Sequence, residues 1–180
     1  MESAELSDVL GSKRSAGEEL GPPPMYDIIE LLFFAYRDFV GDADRLLENY
    51  KFGRAHHRVL HFVNRQPGLK IAEILAILQI TKQSLGRVLR DLLETGYIEV
   101  RPGPVDRRQR LLFPTAKGRK LALDLARLQS KRFARVFETL APGAYDQAVQ
   151  FLLEMIDPGD RGAIAERLRL SSLALTRQRA

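Results

Sequence analysis

A chain of 180 residues with 45% hydrophobic and 28% charged side chains carries enough apolar material for a globular domain. It has no cysteine, which excludes disulfides, thiolate metal sites and cysteine nucleophiles together, and no stretch approaches the ~20 apolar residues of a membrane span. The net charge of +5 is uneven: residues 51–120 hold 15 Lys or Arg against 5 Asp or Glu, so a surface for a polyanion is expected there.

Residues 1–24 are polar and end in GPPP; they read as a disordered tail with Pro22 to Pro24 as a stiff lead-in. This start lacks a basic segment followed by an apolar core, so a cytoplasmic protein without a secretory signal is expected. From Met25 to about Leu47, Ile28, Ile29, Leu32, Phe33, Tyr36, Phe39, Val40, Ala43, Leu46 and Leu47 form an apolar stripe wider than one buried face requires. A helix over 25–48 that packs on two sides is expected, with Gly41 a point of bending. FGRAHHRVLHFVNRQPG continues as a helix with Phe52, Ala55, Val59 and Val63 inward, stopped by Pro67 and Gly68.

LKIAEILAIL follows, with Ile71, Ile74, Leu75 and Leu78 at helical spacing. After a break at Gln79 and Ile80, Thr81 is a good N-cap for a helix whose stripe is Leu85, Val88, Leu89, Leu92 and Leu93. Gly96 terminates it. A helix, a tight turn and a second helix make a helix-turn-helix. Tyr97–Val100 and Leu111–Phe113 then read as strands around the loop RPGPVDRRQR. Thr115 caps a long helix carrying Leu121, Leu125, Leu128, Val136 and Leu140; Pro142 and Gly143 interrupt it. Two further helices are expected, over AYDQAVQFLLEMI and from about Arg161 to Arg177.

Helix-turn-helix followed by a basic hairpin is the layout of a winged helix, so the fold class expected is mainly α with a two-stranded β-hairpin wing. A helix fits the major groove of double-stranded DNA, and its N-terminal side chains reach base edges. With the apolar stripe buried, the free face presents Lys82, Gln83, Ser84, Arg87, Arg90 and Asp91. Gln83 suits an adenine, Arg87 a guanine or a phosphate, and Arg90 a phosphate. Gly86 costs roughly 1 kcal/mol inside a helix, tolerable where DNA or a neighbouring helix comes close. On the wing, Arg101, Arg107, Arg108 and Arg110 suit the minor groove or the flanking phosphates. Asp106 is placed to orient a guanidinium.

DRRQRLLFPTAKG resembles the wing motif of the MarR family, in which an Asp, an Arg two later and a Thr nine later lead through Lys-Gly into a long helix. Asp106, Arg108, Thr115, Lys117 and Gly118 fill those places; Pro114 stands where the family usually has Leu. ITKQSLGRVLRDLLETGYIEV is similar to the family's recognition helix and first wing strand, and GRAHHRVLHFVNRQPG resembles the PetP-like subgroup. The resemblance covers about residues 28–156. It implies a homodimer with interleaved N- and C-terminal helices, binding a pseudo-palindromic operator, commonly as a repressor, and released by a small aromatic or anionic effector. It also implies one domain over 25–180: a dimerisation helix at 25–48, a DNA-binding lobe at 50–115 and C-terminal dimerisation helices at 116–180. The overly apolar first helix and the C-terminal helices point to such an interface independently.

No cofactor, metal or enzymatic activity is expected. His57 and His61 lie one helical turn apart, but no Asp or Glu occurs from 49 to 72. On the helical wheel His56 points near the apolar face, and His57 and His61 away from it. Packing or interlobe hydrogen bonds, an effector pocket and a pH-sensitive contact are the other readings. GSKRS lacks the setting of a phosphate loop, Ser84 has no partner base, and Phe33, Phe34 and Tyr36 suit a core or an effector pocket. The rival function is a winged-helix interaction module whose basic lobe binds an acidic protein.

Overall fold

The computed structural model describes residues 22–177. The expected tail lies outside them except for Pro22–Pro24, which are exposed and carry no helix or strand. Two compact units divide between Gly41 and Asp42. The first contains most of α1 (Tyr26–Glu48), a 23-residue helix that runs through Gly41. Its expected two-sided stripe is exposed here, with Ile28, Ile29, Leu32, Phe33 and Tyr36 between 41% and 66% accessible.

The second unit holds the last turns of α1 and then α2 (Arg54–Arg65), β1 (Leu69–Lys70), α3 (Ile71–Leu78), α4 (Lys82–Glu94), β2 (Ile98–Pro102), β3 (Arg110–Pro114), α5 (Ala116–Thr139), α6 (Ala144–Glu154) and α7 (Pro158–Arg177). Its core joins Ala43 and Leu47 of α1, Val59, Leu60 and Val63 of α2, Ile74 and Leu78 of α3, and the α4 stripe Leu85, Val88, Leu89 and Leu92. Ile98, Leu112, Leu121 and Leu125 close it. Each leucine-sized side chain buried there contributes about 1.5–3 kcal/mol, which is what holds α4 against α2 with its polar face outward.

The sheet has three antiparallel strands in the order β1-β3-β2, one more than the expected hairpin. Leu69 pairs with Leu112 and Lys70 with Leu111, and the Gly68 N–H donates to the Leu112 carbonyl at 2.7 Å. Two residues are too few to show an alternating pattern, so this strand was hidden in the sequence. In α2, Leu60 takes the inward place expected for Ala55, which is exposed, and Phe52 packs from the loop before the helix. The last helix starts at Pro158, three residues earlier than expected, because proline is well suited to the first helical turn. Of the expected α5 stripe only Leu121 and Leu125 are buried; Val136 and Leu140 are 48% and 51% exposed.

Candidate nucleic-acid interface

The helix-turn-helix is set by its two ends. Gln79 adopts a left-handed conformation (φ 49°) that stops α3. Two residues later the Thr81 hydroxyl oxygen accepts from the Ser84 N–H at 3.1 Å and starts α4. The same hydroxyl donates to Ser84 Oγ at 3.0 Å. Ser84 is half-buried and completes this cap. Lys82, Gln83, Arg87 and Arg90 are exposed on the outer face of α4. Among the described residues no intrachain hydrogen bond or ion pair engages these four side chains, so their donors are available to a ligand.

Asp91 has another task. His56 Nδ1 accepts from the Gly53 N–H at 3.1 Å, which leaves the proton on Nε2, 3.0 Å from Asp91 Oδ2. The His56 ring stacks on Phe52 with centroids 4.8 Å apart. Asp91 therefore ties α4 to α2. Gly86 is exposed, and a Cβ there would meet nothing within 4 Å. No neighbouring helix of the same chain is thus the reason for this glycine.

In the wing, β2 and β3 pair from Ile98↔Pro114 to Pro102↔Arg110. Arg101 and Arg110 stand on the strands, so the loop itself carries only two of the four arginines. Arg101 is engaged: its Nε donates to Glu99 Oε1 at 2.8 Å, and its guanidinium lies 4.5 Å from the Phe113 ring centre. It serves the wing stem. Arg107, Arg108 and Arg110 are exposed, and among the described residues no intrachain acceptor holds their guanidinium groups. Asp106 does not orient a guanidinium; its Oδ1 accepts from the Arg108 backbone N–H at 3.0 Å and shapes the turn instead. That change follows from its two-residue spacing, which suits an Asx-type turn.

The Thr-Ala-Lys-Gly stretch fastens wing, recognition helix and α5 together. Thr115 Oγ1 donates to the Gly96 carbonyl at 2.7 Å and accepts from the Gly118 N–H at 3.0 Å. Lys117 Nζ donates to the Thr95 carbonyl at 3.1 Å, at the C-terminus of α4 where a cation is favoured, and lies 4.2 Å from the Tyr97 ring centre. Gly118 is buried so closely that a Cβ would sit 1.8 Å from the Tyr97 carbonyl oxygen. Half-buried Thr115, exposed Lys117 and buried Gly118 thus fix the wing and the C-terminus of α4 to the start of α5, a role the sequence motif alone did not assign.

A model of the MarR family matches residues 50–109 of the chain. The HTH-type transcriptional regulator PetP of Rhodobacter capsulatus is 44% identical over 133 residues, covering 74% of this chain and 80% of that protein. The chain belongs to the MarR family. Proteins of the MarR family are non-enzymatic, DNA-binding transcriptional regulators. Solved MarR-type structures agree at the level of fold. Streptococcus pneumoniae FabT in complex with DNA has a TM-score of 0.66 at 17% identity, over 73% of this chain and 94% of that one. CouR from Rhodococcus jostii, bound to p-coumaroyl-CoA, has a TM-score of 0.62 at 22% identity, over 73% and 93%.

In this MarR family chain the remaining histidines, expected to point away from the apolar face of α2, are not fully exposed. His57 and His61 are half-buried, with rings 6.5 Å apart. Burial lowers both pKa values below the usual 6.5; Asp44 opposes this at His57, while His57 and Arg65 add to it at His61. His61, Phe62, Ile77 and Gln79 line one side of a cavity of about 470 Å³, and Ile164 and Arg167 of α7 line the other. Arg167 donates to the Gln66 side-chain oxygen. A wheel drawn on one helix cannot show what a distant helix covers. Among the described residues no group of three or more His, Asp or Glu is placed to hold a metal ion, and no helix is long and apolar enough to cross a membrane.

Proposed function

We propose that this MarR-type regulator is a cytoplasmic homodimer that reads a pseudo-palindromic operator in double-stranded DNA, as a repressor whose grip an effector relaxes. The observation that carries the reading is the set of exposed cations without intrachain acceptors on two separate elements, Arg87 and Arg90 on α4 and Arg107, Arg108 and Arg110 on the wing. In this reading Lys82, Gln83 and Arg87 meet base edges, Arg90 meets phosphate, and the wing takes the minor groove or its phosphates. The half-sites would lie about one DNA turn apart.

Dimerisation is assigned to α1 and to the helices of residues 116–180. Tyr145, Val149 and Leu152 form an exposed stripe on α6, which among its described residues has none buried, and α1 exposes its own stripe. A partner chain is the natural cover for that much apolar surface. The cavity beside α7 is of a size for a small ligand. It touches Gln79, in the turn that sets α4, so an occupant there would change the spacing of the two recognition helices.

Selection of bound duplexes from a random pool at physiological salt tests the reading. Recovery of an inverted repeat is expected. Recovery of unenriched DNA would overturn sequence-specific reading and favour the rival in which the basic lobe binds an acidic protein, since only base readout gives a large ratio of specific to non-specific affinity.

A further inference from the structure

The wing apex carries an exposed apolar side chain among its charges. Val105 is 98% exposed and stands between Pro104 and Asp106, just before the free guanidinium groups of Arg107 and Arg108. A lone surface valine is ordinary, but this one has a rigid support. The Gly103 N–H donates to the Gln109 carbonyl at 2.9 Å and closes the loop at its base. Above it the Gln109 N–H donates to the Asp106 carbonyl at 3.0 Å, and the Asp106 carboxylate holds the Arg108 N–H. A Cβ on Gly103 would lie 2.7 Å from the Asp106 carbonyl oxygen, so the loop backbone is folded onto itself. Pro102 and Pro104 restrict φ on either side of that glycine, and valine itself is stiff at χ1. An isopropyl group on this support loses little conformational freedom when it docks.

We propose that Val105 is the tip of the wing that enters the minor groove, and that its isopropyl group selects A·T over G·C base pairs beside each half-site. The inference rests on the reading above, in which the wing lies on DNA. In the minor groove an A·T pair shows only acceptors, whereas a G·C pair adds the guanine 2-amino group. An apolar branch covers acceptors on either floor, so these do not discriminate. Over the second it also meets the protruding amino group, which blocks close approach and loses its water as well. The flanking cations hold the tip in place, because the groove focuses negative potential on them.

Full-length protein and duplexes carrying the selected half-sites provide the test, with the flank built as A·T, as G·C or as inosine·cytosine, which lacks the 2-amino group. Wild type is expected to lose about tenfold in affinity from A·T to G·C and to recover it with inosine. Val105→Ala should bind all three flanks within about twofold of one another, and Val105→Ile should keep the discrimination. Both variants fold normally, because the side chain is exposed. Discrimination that survives in Val105→Ala assigns flank reading to the arginines and overturns the proposal, as does a wild type indifferent to the flank. Failure to recover any half-site in the selection would instead overturn the DNA-reading function itself.

Discussion

The same substitution, glycine to alanine, is expected to have opposite effects at two positions. At Gly86 a Cβ meets nothing within 4 Å, so Gly86→Ala gains the helix propensity of alanine, up to about 1 kcal/mol. At Gly118 the Cβ would lie 1.8 Å from the Tyr97 carbonyl oxygen, where real Cβ contacts stay beyond 3.0 Å, so the backbones of α5 and the Gly96–Tyr97 turn must part by about 1.2 Å (3.0 less 1.8). No rotamer relieves a clash with backbone. That separation takes three bonds beyond hydrogen-bonding range: Thr115 Oγ1 to Gly96 O at 2.7 Å, Thr115 N to Tyr97 O at 3.1 Å and Lys117 Nζ to Thr95 O at 3.1 Å. At about 1 kcal/mol each, and with the propensity gain set against them, Gly118→Ala should lose roughly 2 kcal/mol. Urea unfolding at one fixed protein concentration reads both changes as midpoint shifts with an unchanged slope. A Gly118→Ala protein as stable as wild type would refute the close approach and the anchoring role of the Thr-Ala-Lys-Gly stretch.

The other predictions concern the interface and pH. Gly86→Ala, though stabilising, should weaken DNA binding if phosphate backbone approaches that point; undiminished binding in an electrophoretic shift assay would exclude this explanation of the glycine. Arg108→Ala should weaken specific binding roughly tenfold with the dimer intact by sedimentation, while Arg101→Ala, whose guanidinium is held by Glu99, should change it by less than about threefold; equal losses would contradict the division into stem and tip. Burial disfavours the charged forms of His57 and His61, so their folded pKa values lie below the unfolded 6.5. The unfolded chain then binds more protons, and stability should fall as pH drops through 6.5 toward the folded values. Replacing both by Gln should flatten that slope in denaturation curves taken from pH 7.5 to 5.

Much of the architecture was legible in local chemistry. Thr81 before an i, i+3, i+4, i+7, i+8 stripe, and Gly96 after it, mark α4 because capping and one-sided burial act within a few residues of chain. The outward cations of α4 follow from the same periodicity, and so does the amphipathic reading of α2. The wing arginines were visible as composition, but not which of them were free. Arg101 looks like its neighbours in the sequence; only strand alternation, with Glu99 two residues away on the same face and Phe113 on the facing strand, makes it a stem residue.

What the sequence by itself determined, then, is the order and polarity of the helices, the caps, the position of the wing and the concentration of positive charge around it. These depend on φ/ψ preferences and burial patterns that repeat along a short stretch. The tertiary structure alone decided the contacts between distant segments. It brought Leu69–Lys70 to the edge of β3, placed Asp91 against His56 across 35 residues, set Gly118 against the Tyr97 carbonyl, and put α7 over His61. Such pairings depend on where two surfaces meet once both elements exist, and a spacing rule written for one helix or one strand contains no information about its neighbour.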